Sequence, residues 1–119
     1  MSMKATMRQV DSVTVFDISG RITLGEGSTQ LRELIRNHLA KGNKKLLLNL
    51  ADVTYIDSSG IGELVSAYTA VSSQGGQLKL LNLTKKVHDL LQITKLLTVF
   101  DVHDDEVKAI SSFDKATSV

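Results

Sequence analysis

Apolar residues along this chain alternate between two spacings, one suited to strands and the other to helices. Over residues 10–20, Val13, Val15 and Ile18 give β-branched strand character that stops at Gly20. Residues 5–10 are expected to pair with that strand across a turn near Asp11 and Ser12, making an opening hairpin. A loop over residues 21–28, with Gly25 and Gly27, leads to a helix. There Leu31, Leu34, Ile35 and Leu39 repeat at i, i+3, i+4 and i+8, with Ser28 or Thr29 as cap and Gly42 at the stop. Residues 45–50 (Lys-Leu-Leu-Leu-Asn-Leu) form a continuous apolar run that suits a strand buried on both faces and bounded by a turn-like Asp52. Helical spacing returns after Asp57-Ser58-Ser59-Gly60 with Ile61, Leu64, Val65, Tyr68 and Val71, and ends at Gly75 and Gly76. Residues 77–83 read as a further strand. Thr84 can cap a third helix through Val87, Leu90 and Leu91. Val99, Phe100 and Val102 form a short last strand, and Asp104, Asp105 and Glu106 open a final helix with acids at its positive end.

The order β-β-α-β-α-β-α-β-α predicts an α/β fold, with a mixed, largely parallel sheet of about four to five strands and right-handed crossovers. About four short helices are expected, covering mainly one face because so few cannot easily cover both. One domain over residues 1–112 is expected, followed by a frayed tail over residues 113–119 that lacks periodicity.

Composition narrows the function. With 14 basic against 13 acidic residues, the net charge of +1 argues against a large nucleic-acid footprint. The absence of Trp argues against a base-stacking platform. Cysteine is absent, which removes disulfides, thiolate catalysis and cysteine zinc sites, and is consistent with a reducing compartment. No apolar run is long enough for a signal peptide or a membrane span, so a soluble, cytoplasmic protein without cofactor or metal is expected. Proline is absent too, leaving punctuation to Gly, Asx and Ser.

The chemistry concentrates in residues 53–64. Two hydroxyls, Ser58 and Ser59, stand where a strand end turns into a helix, beside unpaired N–H groups and the positive end of the helix dipole. An anion carried there finds donors waiting. The competing structural account is plain N-capping by Asp57, Ser58 or Ser59. Gly60 and Gly62 weigh against capping alone, since each costs about 1 kcal/mol of helix propensity relative to Ala. Glycines there also permit close approach by a phosphate or another backbone.

Enzymatic readings find less support. No lysine occurs between Lys45 and Lys79, so the turn is no Walker A loop, and Gly60 and Gly62 supply only part of a dinucleotide fingerprint. Ile56 stands where a nucleophile elbow around Ser58 needs glycine. His38, His88 and His103 fall on other elements, so no base is evident. His103, Asp104, Asp105 and Glu106 are contiguous and point in different directions, which fits dipole compensation better than metal binding. Lys44-Lys45 and Lys85-Lys86 read as solvated surface.

Asp57-Ser58-Ser59-Gly60-Ile61-Gly62, on a strand-to-helix turn in a chain of this length, resembles the STAS domain family, and within it the bacterial anti-sigma factor antagonists. Gly20-Arg21-Ile22, residues 46–50, residues 76–83 and Phe100 extend the resemblance over nearly the whole chain. It implies a non-enzymatic switch that binds an anti-sigma factor, a serine kinase with a histidine-kinase-like ATPase fold. Phosphorylation of Ser58 would release the kinase, and a PP2C-type phosphatase would reset the switch. It also implies a partner surface of Asp57, Ser58, Ser59, Gly60, Ile61 and Gly62 together with Thr23 and Leu24 of the preceding loop. Members often carry an aspartate in that loop, and here Thr23 stands in its place. The alternative within the family is a signalling scaffold or a soluble subunit of a lipid transporter.

Overall fold

The structure, a computed structural model of the chain, describes residues 3–116. Strands β1 (Lys4–Val10) and β2 (Val13–Ile22) form the opening hairpin, with Val10 opposite Val13. Asp11 takes the left-handed conformation (φ 54°) that so tight a turn requires and that Asp tolerates. Helix α1 (Glu26–Ala40), strand β3 (Lys45–Ile56), helix α2 (Ser58–Ser73) and strand β4 (Gln77–Leu81) follow. Helix α3 (Lys85–Ile93), strand β5 (Asp101–His103) and helix α4 (Glu106–Ala116) complete the chain. The sheet has five strands in the order β1-β2-β3-β4-β5; only β1 is antiparallel to its neighbour.

Alternation along the strands sorts the core into two layers. Phe16 and Ile18 of β2, Leu46, Leu48 and Leu50 of β3, and Leu78 and Leu80 of β4 face the apolar sides of α1, α2 and α3. Their in-between neighbours Val13, Val15, Leu47 and Leu81 face the other way, against Ala109, Ile110 and Phe113 of α4. The run over residues 45–50 is therefore buried on both faces, and three of four helices share one face, as its sequence pattern predicts.

Four sequence expectations are corrected. Asp52 makes no turn: β3 continues to Ile56, paired with β2 through Asp52↔Ser19 and Ile56↔Ile22, because Val53 and Ile56 still bury their side chains. Neither Ser28 nor Thr29 caps α1. The helix starts at Glu26 after Gly25, and Ser28 is buried with its hydroxyl donating to the Thr23 carbonyl at 3.0 Å. The last strand lies slightly later than expected, over Asp101–His103, with Phe100 buried in front of it. Fraying does not begin at 113, since Phe113 is fully buried and α4 runs to Ala116, while residues 117–119 lie outside the described residues.

A polar lattice ties α4 to the sheet. The Arg8 guanidinium donates to both oxygens of Asp17 (2.6 and 2.9 Å) and both of Glu106 (2.8 and 3.1 Å), joining β1, β2 and α4. Asn49 adds a 2.9 Å bond to Asp17. On the same face the nearly buried Lys79 donates to Asp101 (2.7 Å) and Ser112 (2.8 Å), which satisfies a cation that burial would otherwise penalise.

Candidate functional site

Parallel strands that leave the sheet in one direction bring their carboxyl ends, and the loops that follow, to one edge. The loop after β2 (residues 23–25) and the start of α2 after β3 consequently meet there. Asp57 joins them. It is the N-cap of α2, with extended backbone (φ −105°, ψ −175°); its Oδ1 accepts from the Gly60 N–H at 2.9 Å and its Oδ2 accepts from the Leu24 N–H at 3.0 Å. Its own N–H donates to the Ile22 carbonyl at 3.3 Å. The Gly60 N–H, and after it the Leu24 N–H, hold the Asp57 carboxyl below the usual carboxylate range, so it stays ionised at neutral pH.

Capping is thus assigned to Asp57 and to neither serine. Ser58 is the first helical residue and is exposed; Ser59 behind it is half-buried. The Ser58 hydroxyl stands at the positive end of a 16-residue helix.

The two glycines separate sharply. A Cβ on Gly60 would lie 2.2 Å from the Ile22 carbonyl oxygen and 2.6 Å from Ile56 Cγ1, so the first turn of α2 reaches the end of β2 only because Gly60 has no side chain. A Cβ on Gly62 meets nothing within 4 Å. Gly60 and Ile61, both expected on the partner surface, are buried, Ile61 within the main core. Left at the surface are Ser58, Gly62 and Leu24, with Asp57, Ser59 and Thr23 half-buried beside them.

Residues that the motif did not reveal complete this edge. A cleft of about 580 Å³ opens beside Asp57 and Ser58, walled by Tyr55 and Ile56 of β3 and by Lys86, Asp89, Leu90 and Ile93 of α3. Ile93 is 77% exposed and Leu24 is 78% exposed. Arg21 lies over the Tyr55 ring at 4.9 Å. Ile93 carries a faint sequence signal, standing off the Val87–Leu91 stripe, whereas Tyr55 and Lys86 carry none.

No histidine lines this cleft. His38 packs edge-on against Phe16 (4.9 Å), His88 lies 3.4 Å from Asp89, and His103 lies 3.2 Å from Asp101. The acids 104–106 are spoken for in part: Asp105 accepts from the Lys108 N–H at 3.2 Å, and Glu106 binds Arg8. Among the described residues no group of His, Asp or Glu is placed to hold a metal ion, and no helix is long and apolar enough to cross a membrane.

The family model of the STAS domain matches residues 4–109. The anti-sigma-B factor antagonist of Bacillus subtilis is 31% identical over 102 residues, covering 86% of this chain and 92% of that protein. The crystal structure of a candidate anti-sigma factor antagonist from Thermotoga maritima superposes with a TM-score of 0.85 at 26% identity, covering 92% of this chain and 94% of that one. The anti-sigma factor antagonist SpoIIAA shares the fold in its unphosphorylated form (TM-score 0.69, 19% identity, 98% of this chain and 100% of that one). Its phosphorylated form does so too (TM-score 0.72, 20% identity, 92% and 98%).

Proposed function

The chain belongs to the STAS domain family, and we propose that within it the protein is an anti-sigma factor antagonist switched off by phosphorylation of Ser58. The observation that carries this reading is the division of labour at the start of α2. Asp57 caps the helix, and the neighbouring Ser58 hydroxyl is exposed with no capping role.

In the proposed cycle the unmodified edge binds a serine kinase of histidine-kinase-like ATPase fold and so frees its sigma factor. The kinase then transfers the γ-phosphoryl group of ATP. A bond forms between Ser58 Oγ and phosphorus, the bond to the β-phosphate oxygen breaks, ADP leaves, and the hydroxyl proton passes to a kinase base. A PP2C-type phosphatase returns the hydroxyl by hydrolysis. Phosphate adds about −1.5 to −2 charges. Placed beside the ionised Asp57 and among Leu24, Gly62 and Ile93, it makes a close, partly apolar contact surface bulky and anionic. The domain has no need to refold, because the positive end of α2 accommodates the charge.

The test is a pull-down from source-cell lysate with Ser58→Ala and Ser58→Asp baits, read by mass spectrometry. The alanine form should capture a histidine-kinase-like ATPase and the aspartate form should lose it. Melting temperatures should be nearly equal, since Asp is well tolerated in the first turn of a helix. Capture of the same scaffold or transporter proteins by both baits would overturn the switch and favour the alternative role within the family.

A further inference from the structure

The three cations at the cleft edge differ in their partners. Arg21 is engaged with the Tyr55 ring, and Lys85 donates to Asp89 at 2.7 Å across one helical turn. Among the described residues Lys86 has no ion pair, although it lines the same cleft as Asp57 and Ser58. Its position is electrostatically unfavourable. Thr84 caps α3, so Lys85 and Lys86 occupy the first turn, at the positive end of the helix dipole, and no acid stands in that turn to offset them. Lys85 is relieved by Asp89, whereas Lys86 is left facing the cleft. The carboxylates that line the cleft do not answer it: Asp57 on the opposite side spends both oxygens on the Gly60 and Leu24 N–H groups, and Asp89 on α3 itself is held by Lys85 and lies beside His88.

We propose that Lys86 is the counter-ion of a phosphate on Ser58, drawing it across the cleft between α2 and α3. This inference rests on Ser58 being the phosphorylated residue. The phosphate supplies the anion that the first turn of α3 lacks. Its bridge to Lys86 covers the apolar floor made by Tyr55, Leu90 and Ile93, so phosphorylation closes the chain's own docking cleft as well as repelling the partner. Lys86 thereby sets how strongly the modified form is held off, and it touches no reacting atom.

The test uses the full chain with phosphoserine installed at position 58 by genetic code expansion, so that no kinase is needed. The phosphate is titrated by 31P NMR in the otherwise unchanged protein and with Lys86→Met, Lys86→Arg or Lys85→Met. A facing cation favours the dianion, so the second phosphate pKa should be lower with Lys86 than with Lys86→Met by roughly half a pKa unit at low salt. Lys86→Arg should restore the lower value, Lys85→Met should change it much less, and the difference should shrink in 1 M salt. Equal pKa values for Lys86→Met and the parent overturn the assignment, as do equal effects of the two methionine variants. Failure of the kinase pull-down alongside a Lys86-dependent titration would sink the proposed partner and leave this pairing intact.

Discussion

Replacing Gly60 and Gly62 one at a time by alanine should move stability in opposite directions, although the two residues lie a half-turn apart on one helix. At Gly62 the new methyl enters open space, so the substitution removes only the entropy penalty of a helical glycine. The expected gain is about 1 kcal/mol, or roughly 4 °C in Tm for a domain of this size. At Gly60 the methyl arrives 2.2 Å from the Ile22 carbonyl oxygen and 3.0 Å from Ile22 Cγ2, well inside the 3.4–4 Å of an ordinary contact. Backbone is the obstacle, so α2 must withdraw from the end of β2. That withdrawal lengthens the Asp57 N–H bond to Ile22 and pulls the Asp57 carboxylate off the Leu24 N–H. A loss of roughly 2–3 kcal/mol is expected, net of the propensity gain. Urea denaturation followed by far-UV circular dichroism measures both, since the chain has no Trp to report by fluorescence. Gly60→Ala as stable as the parent would refute the close approach of α2 to β2. A Gly62→Ala variant destabilised by 1 kcal/mol or more would refute the open face. The same Gly62→Ala protein carries a functional reading: if the exposed glycine admits a partner's backbone, kinase capture should fall while stability rises. Unchanged capture would remove Gly62 from the proposed contact surface.

Two further substitutions test the other face of the sheet. Arg8 holds the Asp17 and Glu106 carboxyls below their usual range. Both contribute stability that is present above about pH 4 to 4.5 and is lost as the pH falls towards their lowered pKa values. Arg8→Met should therefore cost about 1–2 kcal/mol at pH 7, discounted for the partial exposure of the cluster, and should flatten the fall in stability between pH 5 and pH 3. An unchanged acid limb in urea titrations would show that this cluster is not proton-linked to folding. Phe113→Ala should cost about 3–4 kcal/mol in the same assay, because the ring is fully buried against the sheet; a loss below 1 kcal/mol would return residues from 113 onward to the status of a frayed tail.

Most of the fold was legible because its signals are local. The run Leu46-Leu47-Leu48 can only be covered on both faces, and Leu31, Leu34, Ile35 and Leu39 share a face in a helix but not in a strand, where Leu34 would point away from the other three. The misread boundaries lie where local chemistry mimicked a turn or a cap. Asp52 lies in an extended β3 because Val53 and Ile56 beyond it bury their side chains, and Ser28 bonds backward to Thr23 from inside α1. Ala109, Ile110 and Phe113 form a stripe of their own, but Ser111 and Ser112 interrupt it, and only the sheet face that α4 covers makes Phe113 indispensable.

At the site, residue type and order alone specified the chemistry: an acid, two hydroxyls and two glycines at a helix start. Their roles were decided by tertiary contacts. Asp57 is a clamp as well as a cap because the Leu24 amide, 33 positions earlier, comes within 3.0 Å of its carboxylate. Gly60 is structural and Gly62 is open because Ile22 lies against one and nothing lies against the other. Tyr55, Lys86 and Ile93 join Ser58 around one cleft although they sit on different elements and carry no shared motif. Residue type and spacing govern what a helix start can bind, whereas burial and proximity depend on chain segments far apart in sequence, which no local pattern encodes.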